Sequence, residues 1–207
     1  MMFMIRNVYC VGRNYKLHAA ELGNDIPDEP MIFMKPSHAV VDMESRVLSL
    51  PQDQGEIHYE GELVLRISSA YEPGAKVEEL VDQMALGIDF TLRDVQTVIK
   101  KKGHPWTAAK GFKNAAPISA WIDFPGTQAA GDQDFAVRKN GAEVQRGNVK
   151  DMIFSLQEII DYIGVHYGLD QGDVIFTGTP AGVGPCTVGD QFELFWGDQL
   201  LGSCVIG

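Results

Sequence analysis

Hydrophobic and polar positions alternate most cleanly over residues 57–67, IHYEGELVLRI. The period of two predicts a β-strand with Ile57, Tyr59, Leu63, Leu65 and Ile67 toward the core, and with His58, Glu60, Glu62 and Arg66 on the other face. Residues 31–35, MIFMK, read as a strand stopped by Pro36, which has no N–H to give a ladder. Residues 76–82 read as a short helix running into an apolar strand, MALGIDF. A helix follows over about 92–100 and closes with Lys100–Lys102, ahead of Gly103, His104 and Pro105. Within 135–145, Asn140-Gly141 is the residue pair suited to a type I′ hairpin turn. Ser155-Leu-Gln-Glu158 is a capping box opening a helix that Gly168 can close. VIFTGTP, QFELFWGD and QLLGSCVI read as strands or hairpins toward the C-terminus. Strands outnumber helices and do not alternate with them as βαβ units. The expected fold class is therefore α+β and β-dominated, rather than a doubly wound parallel sheet. No repeat or long linker interrupts the chain, so residues 1–207 are expected to form a single domain.

Composition narrows the partners. With 45% hydrophobic and 22% charged residues the chain has the makings of a core and is not a disordered segment. Seventeen Lys and Arg against 28 Asp and Glu leave a net charge of −11. Such a surface repels both nucleic-acid phosphates and anionic lipid, so neither is expected as a partner. No apolar run reaches the ~18 residues of a membrane span, and the apolar part of MMFMIRNVYC is too short for a signal peptide. Cys10, Cys186 and Cys204 are odd in number and lack CxxC spacing, so they read as small buried residues in a reducing compartment. A cytoplasmic location is expected.

Candidate chemistry gathers around acids. Glu60 and Glu62 lie two apart on the predicted strand, with backbones roughly 7 Å apart and carboxylates pointing the same way. Two like charges so close resist joint ionisation, and a hard divalent cation would relieve them. An isolated ExE more commonly marks a solvated strand face. His58 shares that face but reads as a hydrogen-bonded surface residue. Asp89, ending an apolar strand, could supply a third carboxylate; its local alternatives are capping the next helix or pairing with Arg93. Asn14 can cap a short helix, YKLHAAEL, on which His18 and Glu21 share a face. A carboxylate beside an imidazole orients the ring and raises its basicity, as a general base requires, though a surface pair is the commoner meaning. TGTPAGVG at 177–184 lacks the GK[ST] ending of a P-loop. It is either a turn or a set of N–H donors facing an anion. Lys100–Lys102 suit the negative end of a helix dipole and read as structural.

Six segments in order, VGRNYKLHAAELG, MIFMKPS, IHYEGELVLRI, GIDFTLRDVQ, KKGHPWTAAKGF and DVIFTGTPAGVGP, resemble the fumarylacetoacetate hydrolase family across about residues 8–206. The short chain and the early HxxE helix are most similar to the small branch of acylpyruvases and oxaloacetate decarboxylase/tautomerases. The resemblance implies a mixed β-sheet roll, a Mg2+ or Mn2+ ion and a homodimer. It also implies Glu60, Glu62 and Asp89 as metal ligands, with His18 and Glu21 as a water-activating dyad on a lid helix. Lys110 matches the active-site lysine, and Arg13, Lys35, Arg93, Gln96 and Thr179 fall where relatives hold substrate or support the site. Gly61, between two of the implied ligands, is expected to loosen the strand without removing an oxygen donor.

The activity implied is metal-assisted chemistry on a small 2-oxo acid through an enolate: acylpyruvate C–C hydrolysis, oxaloacetate decarboxylation, or keto–enol tautomerisation. An isomerase of 2-hydroxymuconate-type acids is the nearest enzymatic alternative. A non-catalytic, cation-dependent carboxylate-binding protein is the alternative of another class.

Overall fold

A computed structural model describes residues 4–17, 27–44 and 46–207. Among them the strands are β1 (Val8–Gly12), β2 (Met31–Lys35), β3 (Val40–Asp42), β4 (Arg46–Leu48), β5 (Ile57–Tyr59), β6 (Gly61–Ile67), β7 (Val81–Ile88), β8 (Thr91–Leu92), β9 (Ala116–Ile118), β10 (Ile122–Asp123), β11 (Phe135–Lys139), β12 (Ala142–Gly147), β13 (Val174–Phe176), β14 (Gly184–Cys186), β15 (Gln191–Trp196) and β16 (Gln199–Ile206). The helices are α1 (Val77–Leu80), α2 (Arg93–Lys101), α3 (Thr107–Lys110), α4 (Thr127–Ala130) and α5 (Leu156–His166). The architecture is α+β and β-dominated, as the pattern predicts.

The largest sheet runs β2-β1-β13-β6-β7-β9-β3, with β10 on β7. It is mixed: β1 pairs parallel with β13 and β3 with β9, while β6 is antiparallel to both neighbours. A second sheet, β12-β11-β15-β16-β4, lays β11, β15 and β16 against β6 and β7. Between them lies the main core, including Leu63, Leu65, Leu86, Phe135, Phe192 and Leu194. Helix α5 adds Leu156, Ile159, Ile160 and Ile163 to it, with spacings that place all four on one face. Its capping box forms: the Ser155 hydroxyl accepts the Glu158 N–H, and the Glu158 carboxylate accepts the Ser155 N–H. In the 139–142 hairpin both Asn140 (φ 53°) and Gly141 (φ 80°) are left-handed, as a type I′ turn requires.

The 57–67 run departs from its prediction in two ways. Ile57, Tyr59, Leu63, Leu65 and Ile67 do face the core, none more than 5% exposed. The other face is not solvated at its two acids, however. Val8, Cys10, Val64, Val174 and Phe176 build a second apolar cluster there, and Glu60 and Glu62 are buried beside it. The run is also two strands, because β5 belongs to a small sheet with β14 and β8 whereas β6 enters the large one. The change of sheet falls at Glu60. All three cysteines are free and buried.

Candidate active site

The β6/β7 register sets Gly61 opposite Ile88 and Glu62 opposite Gly87. One step further, the Asp89 N–H donates to the Glu60 carbonyl at 2.8 Å. That pairing carries all three acids to one end of the sheet. One carboxylate oxygen each from Glu60, Glu62 and Asp89 comes within 4.8 Å of the others. They are 6%, 3% and 0% exposed, so their charges are felt in a poorly solvated setting.

Cations answer these charges. Lys110, buried at the end of α3, donates to Glu60 Oε2 and Asp89 Oδ2, both at 2.7 Å. Burial works against its ammonium, but the Asp89 and Glu60 carboxylates outweigh it and hold the group above the usual lysine range. Arg93 Nη2 donates to Glu60 Oε1 at 2.5 Å, and its Nη1 donates to Gln96 Oε1 at 2.6 Å. Lys35 Nζ stands 2.7 Å from Asp89 Oδ1 and donates to the carbonyls of Lys110, Phe90 and Ala115. Lys35 thereby ties three segments together beneath the acids.

Glu62 is held differently. The Gly178 N–H donates to its Oε2 at 2.7 Å, so the 177–184 turn does present an N–H to an anion, and the anion is this side chain. Burial, then the neighbouring Asp89 and Glu60 charges, push the Glu62 carboxyl up, with the Gly178 bond pulling the other way. Thr179 Oγ1 donates to the Gly61 carbonyl at 2.9 Å.

Gly61 does not loosen the strand. Its N–H donates to Gln145 Oε1 at 2.8 Å, and a Cβ at this position would fall 2.2 Å from Val137 Cγ2. The glycine permits the second sheet to close on the strand, and the close approach fixes it. Asp89 takes neither of its local alternatives: α2 has no side-chain cap, and Asp89 pairs with two lysines rather than Arg93. Among the described residues the side chain of Asn14 caps no helix. It donates to the Phe154 and Thr177 carbonyls and accepts the Phe154 N–H. His58 meets Glu56 at 3.1 Å and stands apart from the acids. His18 and Glu21 lie outside the described residues.

Arg13, Glu60, Glu62, Asp89, Arg93, Gln96, Lys110 and Thr179 line one pocket, closed on its other side by Met31, Phe33 and Trp106. Lys100 lines it too, while also standing with Lys101 in the last turn of α2, as the helix-closing reading expects. Periodicity contains the signal: Arg93, Gln96 and Lys100 are i, i+3 and i+7 on α2 and so share a face. Gln145 also escapes the sequence. It bonds Gly61, Thr179 and the Pro180 carbonyl from β12, and nothing local marks it. The all-oxygen donor set, buried and mutually repelling, fits a hard divalent cation.

A mixed β-roll that gathers three buried carboxylates and a lysine in a pocket lined by further cations defines a class of protein, one whose donor set suits a divalent ion. Residues 7–203 match the model of the fumarylacetoacetate (FAA) hydrolase C-terminal family, and the chain belongs to that family. It is 35% identical to an oxaloacetate tautomerase of Escherichia coli, over 99% of this chain and 94% of that protein. It is 39% identical to the mitochondrial oxaloacetate tautomerase of Mus musculus, over 91% and 86% of the respective chains. A fumarylpyruvate hydrolase from Pseudomonas aeruginosa, solved in complex with Mn2+ and pyruvate, superposes with a TM-score of 0.87 at 35% identity, covering 99% of this chain and 91% of that one.

Proposed function

We propose that this chain is a divalent-metal-dependent enzyme that interconverts the keto and enol forms of oxaloacetate or a close 2-oxo acid, by way of the substrate enolate. The observation that carries the reading is the Glu60–Glu62–Asp89 cluster bridged by Lys110, in a chain whose relatives include oxaloacetate tautomerases. Mg2+ is the proposed ion, with Mn2+ as the alternative, and when bound it would supply Lewis acidity toward the oxygens of the oxo acid.

The side chains account for the rest. Lys110 sets a fixed ammonium charge at the pocket wall, where negative charge develops on the enolate oxygen. Arg93 fixes the Glu60 carboxylate, and Gln96 fixes Arg93. Lys35 positions Asp89 and the loops behind it, while Thr179 holds the backbone between Glu60 and Glu62. Arg13 faces the substrate. Proton transfer at C3 falls to His18, oriented by Glu21. Acylpyruvate hydrolysis is the second reading, favoured by the fumarylpyruvate hydrolase relative. There the same dyad would take a proton from the water that attacks the distal carbonyl. A single catalytic domain over residues 1–207, a cytoplasmic setting and a homodimer go with this function as proposed. Sedimentation velocity checks the last, expecting a species at twice 22.8 kDa.

The test is proton NMR of oxaloacetate enol, oxaloacetate and acetylpyruvate, each with the protein and Mg2+ or with chelator. Metal-dependent tautomerisation is expected, and it should vanish in Glu60→Gln. Undiminished turnover in chelator sinks the metal assignment, and inactivity toward all three substrates with either ion sinks the reading. Release of pyruvate from acetylpyruvate, lost in His18→Ala while tautomerisation persists, would place hydrolysis first.

A further inference from the structure

The cations around the pocket are not equivalent. Arg93 and Lys110 are committed to Glu60 and Asp89. Arg13 and Lys100 also line the pocket, yet neither has a carboxylate partner among the described residues. Arg13 follows β1 directly and lies in the left-handed region at φ 56°, a conformation that strains a non-glycine residue. Lys100 is an exposed residue whose Nζ stands 5.9 Å from the Trp106 ring centroid. Burial first, and then Arg13 and Arg93, push its ammonium below the ordinary lysine value. Like charges crowded without an acid between them favour a bound anion.

We propose that Lys100 and Arg13 form an anion subsite at the mouth of the pocket. It takes the distal carboxylate of a dicarboxylic 2-oxo acid and so selects dicarboxylates over monocarboxylates. The subsite rests on the function proposed above, and it specifies the substrate class of that same pocket. The acid cluster and its cation then engage one end of the substrate, leaving the second negative charge to Lys100 and Arg13. The helix-dipole role is left to Lys101 and Lys102, which do not line the pocket.

The test is calorimetric binding, in Mg2+, of 2-oxoglutarate and of 2-oxopentanoate, which carries a methyl group in place of the distal carboxylate. Lys100→Met should weaken 2-oxoglutarate by about 10-fold, the worth of one charge-assisted hydrogen bond, and leave 2-oxopentanoate within about 2-fold. The KM for oxaloacetate should rise similarly with kcat little changed. Lys100→Arg should restore both quantities. Lys102→Met, which removes the same charge outside the pocket, should move neither. Equal weakening of the two ligands, an equal effect of Lys102→Met, or no change for either dicarboxylate overturns the subsite. A wild-type protein that binds neither ligand and turns over no oxaloacetate overturns the underlying function, and the subsite falls with it. Wild-type binding without discrimination by Lys100 overturns the subsite alone.

Discussion

Gln145 joins parts of the molecule that are far apart in sequence. Its Oε1 accepts the N–H of Gly61, while its Nε2 donates to Thr179 Oγ1 and the Pro180 carbonyl. None of these bonds goes to the three acids, yet they pin the backbone that sets the spacing of Glu60 and Glu62. Gln145→Leu would leave the buried Gly61 N–H without its acceptor, at a cost of about 1–3 kcal/mol. Partners of this kind are commonly worth about 10- to 100-fold in metal affinity. Titration of Mn2+ into the apoprotein should show a loss of that order, with the three carboxylates intact. Unchanged affinity beside a lowered Tm would make Gln145 a stability residue only. The acids themselves are legible in the sequence, since a period-two strand puts Glu60 and Glu62 on one side. Gln145 is not, because its role follows from the β11/β12 hairpin folding over Gly61.

Elements carry different amounts of their own specification. Helix α5 is written locally: a capping box opens it, its apolar spacing buries one face, and Gly168 follows at φ 83°. Ser155→Ala should therefore cost about 1 kcal/mol, a fall in Tm of roughly 2–4 °C in a chain of this size, with kcat/KM unchanged. The Ser155 hydroxyl and N–H hold the Glu158 carboxyl below its ordinary 4.5. This stabilisation is fully present above that value and fades as pH falls through the lowered one. The Tm gap between Ser155→Ala and wild type should accordingly narrow in acid, which calorimetry from pH 7 to 3 would show. The 57–67 run is written less completely. Alternation identifies its two faces but cannot reveal that a second apolar cluster covers the acidic one, or that the strand changes sheets at Glu60. Helix α2 falls between these cases, since its i, i+3, i+7 face contains Lys100 but only the fold turns that face toward the acids.

At the scale of the whole molecule, a net charge of −11 describes the surface and not the pocket. Arg13, Arg93, Lys100 and Lys110 line the pocket together with Glu60, Glu62 and Asp89, and Lys35 pairs with Asp89. The local balance is cationic before any metal is counted, so an acidic protein can take an acidic substrate. Three acids, at the β5/β6 junction, on β6 and just after β7, also couple ion binding to folding. At 100 times its Kd, Mg2+ or Mn2+ should stabilise the native state by about 2.7 kcal/mol, raising Tm by roughly 5–10 °C. Scanning calorimetry with and without chelator measures this shift. Glu62→Gln should abolish it, and an equal shift in that variant would mean the ion binds elsewhere.

The sequence by itself determined the β-rich class, the hairpin at Asn140-Gly141, the capped helix at 155–168 and the acids to watch, because each rests on spacing within a few residues. Ordered motifs added the family and Lys110. Only the tertiary structure decided that Glu60 and Glu62 are buried, that Asp89 meets them through the β6/β7 register, and that Lys35 is spent on scaffolding. It alone brought Lys100 and Gln145 to the site. The physical reason is common to all of these: burial and pairing across 20 to 120 residues of chain depend on which sheet closes on which, and no local period encodes that.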